Sequence, residues 1–106
     1  MKKVSKKVVR KTKLPYVIVR CRDAGVHAGE YVQHSGREVV LKNARRIWYW
    51  NGAASLSEIA VHGCKYPNEC KITLAVPRLT LTEACEIIEC LPEGEQFLRE
   101  VVAWKA

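Results

Sequence analysis

The sequence predicts a single α+β domain over residues 15–106, with a curved, mostly antiparallel sheet and two short helices. Three observations support this prediction. The chain has 106 residues, 48% of them hydrophobic, which suffices for one modest core and not for two. Segments rich in β-branched residues alternate with turn dipeptides through the first half of the chain. The hydrophobic period then becomes helical at Ser55 and again near the C-terminus.

Three strands are predicted in the first half of the chain. They run over about 16–21, 27–33 and 38–50. Asp23-Ala24-Gly25 and Ser35-Gly36 supply the turns between them, and Asn51-Gly52, a strong turn dipeptide, ends the third.

The second half mixes helix and strand signals. Ser55-x-x-Glu58 is a capping box that opens a short helix, and Gly63 stands where that helix ends. Further strands are expected over about 71–76, where Pro77 breaks the pattern, and then over 79–81 and 86–90. A C-terminal helix is expected over 93–101, with Trp104 folding back as an anchor.

The net charge of +7 belongs to the N-terminal segment. Residues 1–14 carry seven basic residues and no acid, whereas the remaining 92 residues hold eleven basic and eleven acidic residues. We interpret residues 1–14 as a flexible basic arm, which either neutralises phosphates with salt-sensitive affinity or aids solubility. A weak nucleic-acid contact through this arm is therefore a further expectation.

Several classes of function are disfavoured by what the sequence lacks. It has no apolar run of the roughly 18–20 residues that a spanning helix needs, and no apolar region of a signal peptide follows the basic start. We therefore expect a cytoplasmic protein without membrane contact. The common nucleotide-loop, nucleophile-elbow and zinc-protease motifs are also missing, so neither an enzyme nor a cofactor is expected.

The five cysteines do not suggest a disulfide framework or a metal site. Their number is odd, and Cys64-x5-Cys70 and Cys85-x4-Cys90 are wider than the knuckle of a structural zinc site. His62 lies near Cys64, which keeps zinc as a minor alternative. We expect reduced thiols that pack as small apolar residues.

The segment ARRIWYWNG, residues 44–52, concentrates arginines and aromatic rings. Strand alternation places Arg46, Trp48 and Trp50 on one face. It places Arg45, Ile47 and Tyr49 on the other, in phase with Asn43, Leu41 and Val39. One interpretation is a ligand site in which an arginine binds phosphate and a ring stacks on a base. The other is that the tryptophans are packing anchors while the arginines extend to solvent, and spacing alone favours packing.

The same segment lies within a wider resemblance that covers roughly residues 15–90. The motifs are the YVIVR strand, the AGV-x-x-G turn, the L-x-NARRIW-x-W strand and the GA-x-x-LS helix start. In these motifs the chain resembles a family of small phage and prophage proteins that includes the Thoeris anti-defence sponges. The resemblance implies a phage protein that sequesters cyclic ADP-ribose-type or cyclic oligonucleotide immune signals without cleaving them. It also implies a homo-oligomer, either a dimer or a trimer of dimers.

The resemblance also implies which residues contact the ligand. Arg20, Arg22 and Asn43 match positions suited to phosphate and base-edge contacts, whereas Arg45, Arg46, Trp48 and Trp50 match positions that bind ligand or build the oligomer. Arg99 on the C-terminal helix is a further candidate. Four arginines converge if the first and third strands are neighbours. The basic arm and the cysteine count depart from the family pattern, and the arm argues against a purely small-molecule role. The alternatives are a nucleic-acid-binding accessory protein and a protein-interaction or inhibitor module.

Overall fold

The computed structural model describes residues 13–106, which form six strands, two helices and a 3₁₀ turn. The strands are β1 (Tyr16–Cys21), β2 (Val26–Ser35), β3 (Glu38–Tyr49), β4 (Lys71–Ile72), β5 (Val76–Leu81) and β6 (Ala84–Glu89). The helices are α1 (Leu56–His62) and α2 (Pro92–Glu100), and the 3₁₀ turn is Pro67–Glu69. The predicted α+β domain with a curved sheet is confirmed. The basic arm lies outside the described residues except for Lys13 and Leu14.

All strand pairs are antiparallel, and the sheet curls back on itself. The order is β4-β3-β2-β1-β6, and β5 also pairs with β3 beside β4. β5 and β6 therefore lie at opposite edges of the sheet, yet only Thr82 and Glu83 separate them in sequence. Because so short a link joins both edges, the sheet must bend until the edges approach each other. The sheet remains open, since β5 and β6 form no ladder.

The two faces of the sheet carry separate cores. On one face, α1 and α2 pack over strand residues such as Ile18 and Ile47, and Ile59 of α1 belongs to the same core. On the other, Val19, Val39 and Leu41 are fully buried although no helix covers them. The second core is buried by the curl itself, so this face is the inner face of the sheet.

The predicted strand over 71–76 is wrong in extent. β4 spans only two residues, and the strand that follows begins at Val76 and includes Pro77, which was expected to break it. Proline lacks an N–H but is tolerated at a sheet edge, where one side of the strand has no partner. β5 is such an edge, since it pairs with β3 alone.

The two helices are fixed by their ends and by one close contact. The hydroxyl of Ser55 accepts the N–H of Glu58 at 3.1 Å, and the N–H of Gly63 donates to the carbonyl of Ile59, as the capping box and terminal glycine predicted. Gly94 of α2 lies against α1 so closely that an added Cβ would be 2.0 Å from the Ala60 carbonyl oxygen. None of the helices within residues 13–106 is long and apolar enough to cross a membrane.

A bulge at Asn43 changes which side chains of β3 share a face. Ala28 is opposite Arg45 and Glu30 is opposite Lys42, so β3 carries one extra residue here, and Asn43 adopts a φ of 51°. Leu41 and Val39 consequently pack in the inner core, whereas Ile47 packs under the helices. The predicted shared face of Arg45 and Ile47 with Leu41 and Val39 is therefore wrong, because strict alternation does not survive an inserted residue.

Candidate functional site

A cavity of about 140 Å³ opens where β3 changes partners on the inner side of the sheet. Ala44 is opposite Val76 of β5, but Ile47 is opposite Ile72 of β4, and residues 73–75 cross the gap between them. The cavity is lined by His27, Ala44, Arg46, Thr73, Leu74, Val76 and Leu79. It therefore combines two basic side chains and a hydroxyl with apolar walls.

His27 lines this cavity and carries a buried ring nitrogen that has no hydrogen-bond partner among the described residues. The residue is only 2% exposed, and its Nε2 lies 2.9 Å from the Ala24 carbonyl oxygen. Because a carbonyl can only accept, Nε2 carries a proton, and in the neutral ring Nδ1 then bears a lone pair. Nδ1 has no hydrogen-bond partner among the described residues. Burial lowers the pKa of His27, and the charge of Arg46 lowers it further against the opposing effect of the Ala24 bond, so the ring is neutral at pH 7.

Arg46 supplies the complementary donor. It lies directly opposite His27 in the β2–β3 ladder, and paired residues of antiparallel strands point to the same face. Its backbone N–H donates to the Thr73 hydroxyl at 3.0 Å, which fixes the strand against the crossing segment. The guanidinium itself is exposed and has no hydrogen bond or ion pair within residues 13–106. An exposed charged donor thus lies opposite a residue whose buried acceptor is unused.

This arrangement is suited to binding a small molecule that has an anionic group and a ring. Guanidinium donates two parallel hydrogen bonds to phosphate or carboxylate oxygens. The Nδ1 of His27 is a buried acceptor without a partner, which is costly, and an N–H or O–H of a ligand would satisfy it once a small movement of the ring opened it to the cavity. The hydroxyl of Thr73 is already engaged, since it accepts from Arg46 and lies 3.3 Å from the Leu74 carbonyl. The groups that remain for a ligand are therefore the Arg46 guanidinium and the apolar walls of the cavity, and not the Thr73 hydroxyl.

Arg45 is part of the fold and not of this site. It is 6% exposed and points under the helices, where its guanidinium donates to the carbonyls of Thr73 at 2.7 Å, Leu98 at 2.8 Å and Ile72 at 3.4 Å. Burial lowers the pKa of Arg45 from its ordinary value, opposed by Tyr16. Because its donors are used by backbone carbonyls, it is unavailable to a ligand in this arrangement.

Asn43 and Arg99, which are 56 positions apart in the chain, both contact Glu30. The Asn43 amide donates to the Glu30 carboxylate at 3.3 Å, and Arg99 donates to the same oxygen at 2.9 Å and to Glu95 at 2.8 Å. Burial raises the pKa of Glu30, but the hydrogen bonds from Arg99 and Asn43 outweigh it and lower the pKa overall. The Arg99 guanidinium also lies 4.7 Å from the centre of the Tyr16 ring. These two predicted residues form a surface network in which the positive charge is already balanced.

Arg20 and Arg22 do not join the arginines of β3. β2 lies between β1 and β3, so the condition on which the four arginines would converge is not met. Arg20 forms an exposed ion pair with Glu86 at 2.9 Å. Arg22 is exposed in the turn after β1, where its backbone N–H donates to the Glu83 carbonyl.

The two tryptophans of the NARRIWYW segment have different surroundings. Trp50 is half-buried against the core under the helices and donates its indole N–H to the Ala53 carbonyl at 3.1 Å. Trp48 is 59% exposed and stacks on Trp104, with ring centres 5.3 Å apart and 21° between the planes. The predicted return of Trp104 is confirmed, since its N–H donates to the Ile72 carbonyl. Neither tryptophan lines the cavity beside Arg46.

A family model described as a domain of unknown function, DUF6948, matches residues 14–98. The chain belongs to the DUF6948 family. The matched range contains every residue that lines the Arg46 cavity, whereas Arg99 and Trp104 lie beyond it. No curated protein and no solved structure matches this DUF6948 chain. Within residues 13–106 of this member there is no group of three or more histidine, cysteine or acidic side chains that could hold a metal ion.

Sequence reasoning missed three contributors to the local geometry. The sequence gives His27 no distinguishing pattern, and Thr73 and Lys71 fall within the expected strand over 71–76. The signal for His27 was weak, because a histidine between Val26 and Ala28 looks like an ordinary strand position. Its role emerges only from the pairing with Arg46.

Proposed function

We propose that this DUF6948 protein binds and sequesters a small anionic, nucleotide-derived ligand without cleaving it. The observation that supports this function best is that the free Arg46 guanidinium lies opposite His27, whose buried Nδ1 lacks a partner, and that both residues line one cavity. A phosphate would accept from Arg46, and an N–H of the base or a ribose hydroxyl would donate to His27. The apolar side chains Leu74, Val76 and Leu79 would contact the ring.

The size of the cavity bears on how the ligand is held. Pockets that enclose drug-sized ligands are about 300–1,000 Å³, so a cavity of about 140 Å³ takes only one end of a nucleotide. The remainder of the ligand must be covered by something else. We propose that a second copy of the chain completes the site, in line with the homo-oligomer that the sequence resemblance implies.

The class of ligand comes from the sequence resemblance to the phage sponges. Arg46 belongs to the NARRIW segment, which is the most specific part of that resemblance. A cyclic ADP-ribose-type or cyclic oligonucleotide immune signal carries phosphates, ribose hydroxyls and a purine, which are the groups that the cavity complements. The biological role we propose is phage counter-defence by sequestration.

The experiment is a retention-and-release assay. The full chain is incubated with cyclic ADP-ribose or, separately, with cyclic di-AMP, the free nucleotide is removed by filtration, and the retained fraction is heated and analysed by mass spectrometry. We expect at least one nucleotide to be retained and released intact. Cleaved product, or no retention of either nucleotide, would contradict sequestration.

Matched variants localise the binding. Arg46→Gln removes the free guanidinium, and His27→Leu replaces the ring by an apolar side chain of similar volume that cannot accept a hydrogen bond. Each variant should weaken retention at least about tenfold, equivalent to about 1.4 kcal/mol. Arg78→Gln is the control, since Arg78 is an exposed arginine of β5 outside the cavity. Equal losses in Arg46→Gln and Arg78→Gln would indicate general electrostatic attraction and not this site.

A further inference from the structure

A second exposed feature lies beside β4 and shares no residue with the Arg46 cavity. We define it as the tryptophan surface, formed by Trp48, Tyr49, Lys71 and Trp104. Trp48 is 59% exposed and Trp104 is 44% exposed, although both are large apolar side chains that folded proteins usually cover. Their stacking covers part of one face of each ring, and Trp48 nevertheless keeps more than half of its surface exposed.

Lys71 gives this surface a positive charge and a fixed geometry. Its ammonium nitrogen lies 5.1 Å from the centre of the Trp48 ring, 5.4 Å from that of Trp104 and 5.8 Å from that of Tyr49. Cation–π attraction at these distances holds the three rings around the ammonium group. No carboxylate within residues 13–106 forms an ion pair with Lys71. The rings and the positive charge are therefore already together before any partner binds.

We propose that the tryptophan surface binds single-stranded nucleic acid. An unpaired base would stack on the exposed part of the Trp48 ring and extend the Trp104–Trp48 stack, while the adjoining phosphate would approach Lys71. Flat rings interleaved with positive charge are the general means by which proteins bind single strands without sequence preference. The charge complementarity extends beyond the surface, because the first 13 residues of the sequence add seven basic residues and no acid.

The same physical reasoning disfavours a duplex at this surface. Within a duplex both faces of each interior base are already stacked, so away from the two ends a platform such as Trp48 has no free base to bind unless the duplex is opened at a cost. The basic residues at the N-terminus, by contrast, attract single and double strands alike through their phosphates. Preference for single strands is therefore the property that separates the tryptophan surface from general electrostatic binding.

The test measures fluorescence anisotropy of a labelled 20-nucleotide oligo-dT and of the matching duplex with the full chain, at two salt concentrations. We expect tighter binding of the single strand, accompanied by quenching of tryptophan fluorescence. Trp48→Ala should weaken oligo-dT binding about 5- to 150-fold, corresponding to the stacking of one base, and Trp48→Phe should recover part of the loss. Arg78→Gln is the control for the loss of one exposed positive charge elsewhere.

Three results would overturn the proposal. They are equal affinity for duplex and single strand, unchanged oligo-dT binding by Trp48→Ala, and no binding of either nucleic acid by the parent chain, which would leave a protein partner as the occupant. Measuring the retention of cyclic ADP-ribose by the Trp104→Ala variant tests the sequestration function separately from this proposal. Because Trp104 lies outside the Arg46 cavity, retention should persist in that variant even if oligo-dT binding is lost.

Discussion

Replacing Arg45 by methionine should destabilise the domain strongly, although the neighbouring Arg46→Met should not. Arg45→Met leaves the carbonyls of Thr73 and Leu98 without their short hydrogen bonds of 2.7 and 2.8 Å, and the third bond, to Ile72 at 3.4 Å, is weak. Each buried polar group left unpaired costs about 1–3 kcal/mol, so the two short bonds predict a loss of about 2–6 kcal/mol. Small domains have only about 5–15 kcal/mol of stability in total.

The assay is urea unfolding followed by circular dichroism, together with a thermal scan. A loss of at least about 2 kcal/mol lowers the midpoint temperature of a domain of this size by at least about 8 °C. Arg46→Met is the matched control, because its guanidinium is exposed and such surface changes stay within about 0.5 kcal/mol. Similar stabilities for the two variants would refute the assignment of Arg45 to the core and Arg46 to the surface.

Three further predictions concern packing, pH and thiol reactivity. Gly94→Ala should lower the free energy of unfolding, measured in urea, by about 1–3 kcal/mol, because the added Cβ meets the Ala60 carbonyl oxygen. Alanine favours a helix by up to about 1 kcal/mol, which opposes this loss. A stabilised variant would contradict the close helix contact. Burial raises the pKa of Tyr16 to about 12 despite the nearby Arg99 and Arg45, so the stability from its neutral form is complete below about pH 10 and is lost as pH rises through 12. Titration at 295 nm should show one late tyrosinate step that Tyr16→Phe abolishes, and an unchanged curve would contradict this burial. Cys85 is the exposed thiol, Cys21 and Cys70 are buried, and burial raises the pKa of Cys64 and of Cys90 to about 12. A disulfide reagent at pH 8 should therefore label one thiol rapidly, and fast labelling of Cys85→Ser would contradict that assignment.

Local sequence signals were sufficient to predict most elements of the fold. The run of β-branched residues predicts β1 with its observed bounds, and the cap at Ser55 and the terminal Gly63 predict the observed first and last residues of α1. These features depend on short-range chemistry, namely side-chain branching and backbone caps. The extent of β5 could not be predicted in the same way, because tolerance of Pro77 depends on whether the strand lies at an edge.

The candidate site was harder to predict because it depends on register and strand order. Alternation correctly separated Arg45 from Arg46, and the structure places them on opposite faces. Alternation failed on the N-terminal side of Asn43, because the single inserted residue places Leu41 and Val39 on the opposite face of the sheet from the predicted one. Strand order is also a long-range property, so the sequence did not show that β2 would separate Arg20 from β3 and bring His27 beside Arg46.

The pairing of His27 with Arg46 is tested most directly by nitrogen-15 NMR of the histidine rings during titration with cyclic ADP-ribose. The His27→Leu spectrum identifies the His27 signals among those of the three histidines. In the free protein we predict a neutral ring with the proton on Nε2 and an Nδ1 that accepts no hydrogen bond from the protein. On saturation, the Nδ1 resonance should shift as it accepts a hydrogen bond from the ligand, and Arg46→Gln should abolish the shift at the same ligand concentration. An Nδ1 resonance that stays unchanged while the nucleotide binds would show that the ligand lies elsewhere and would contradict the proposed site.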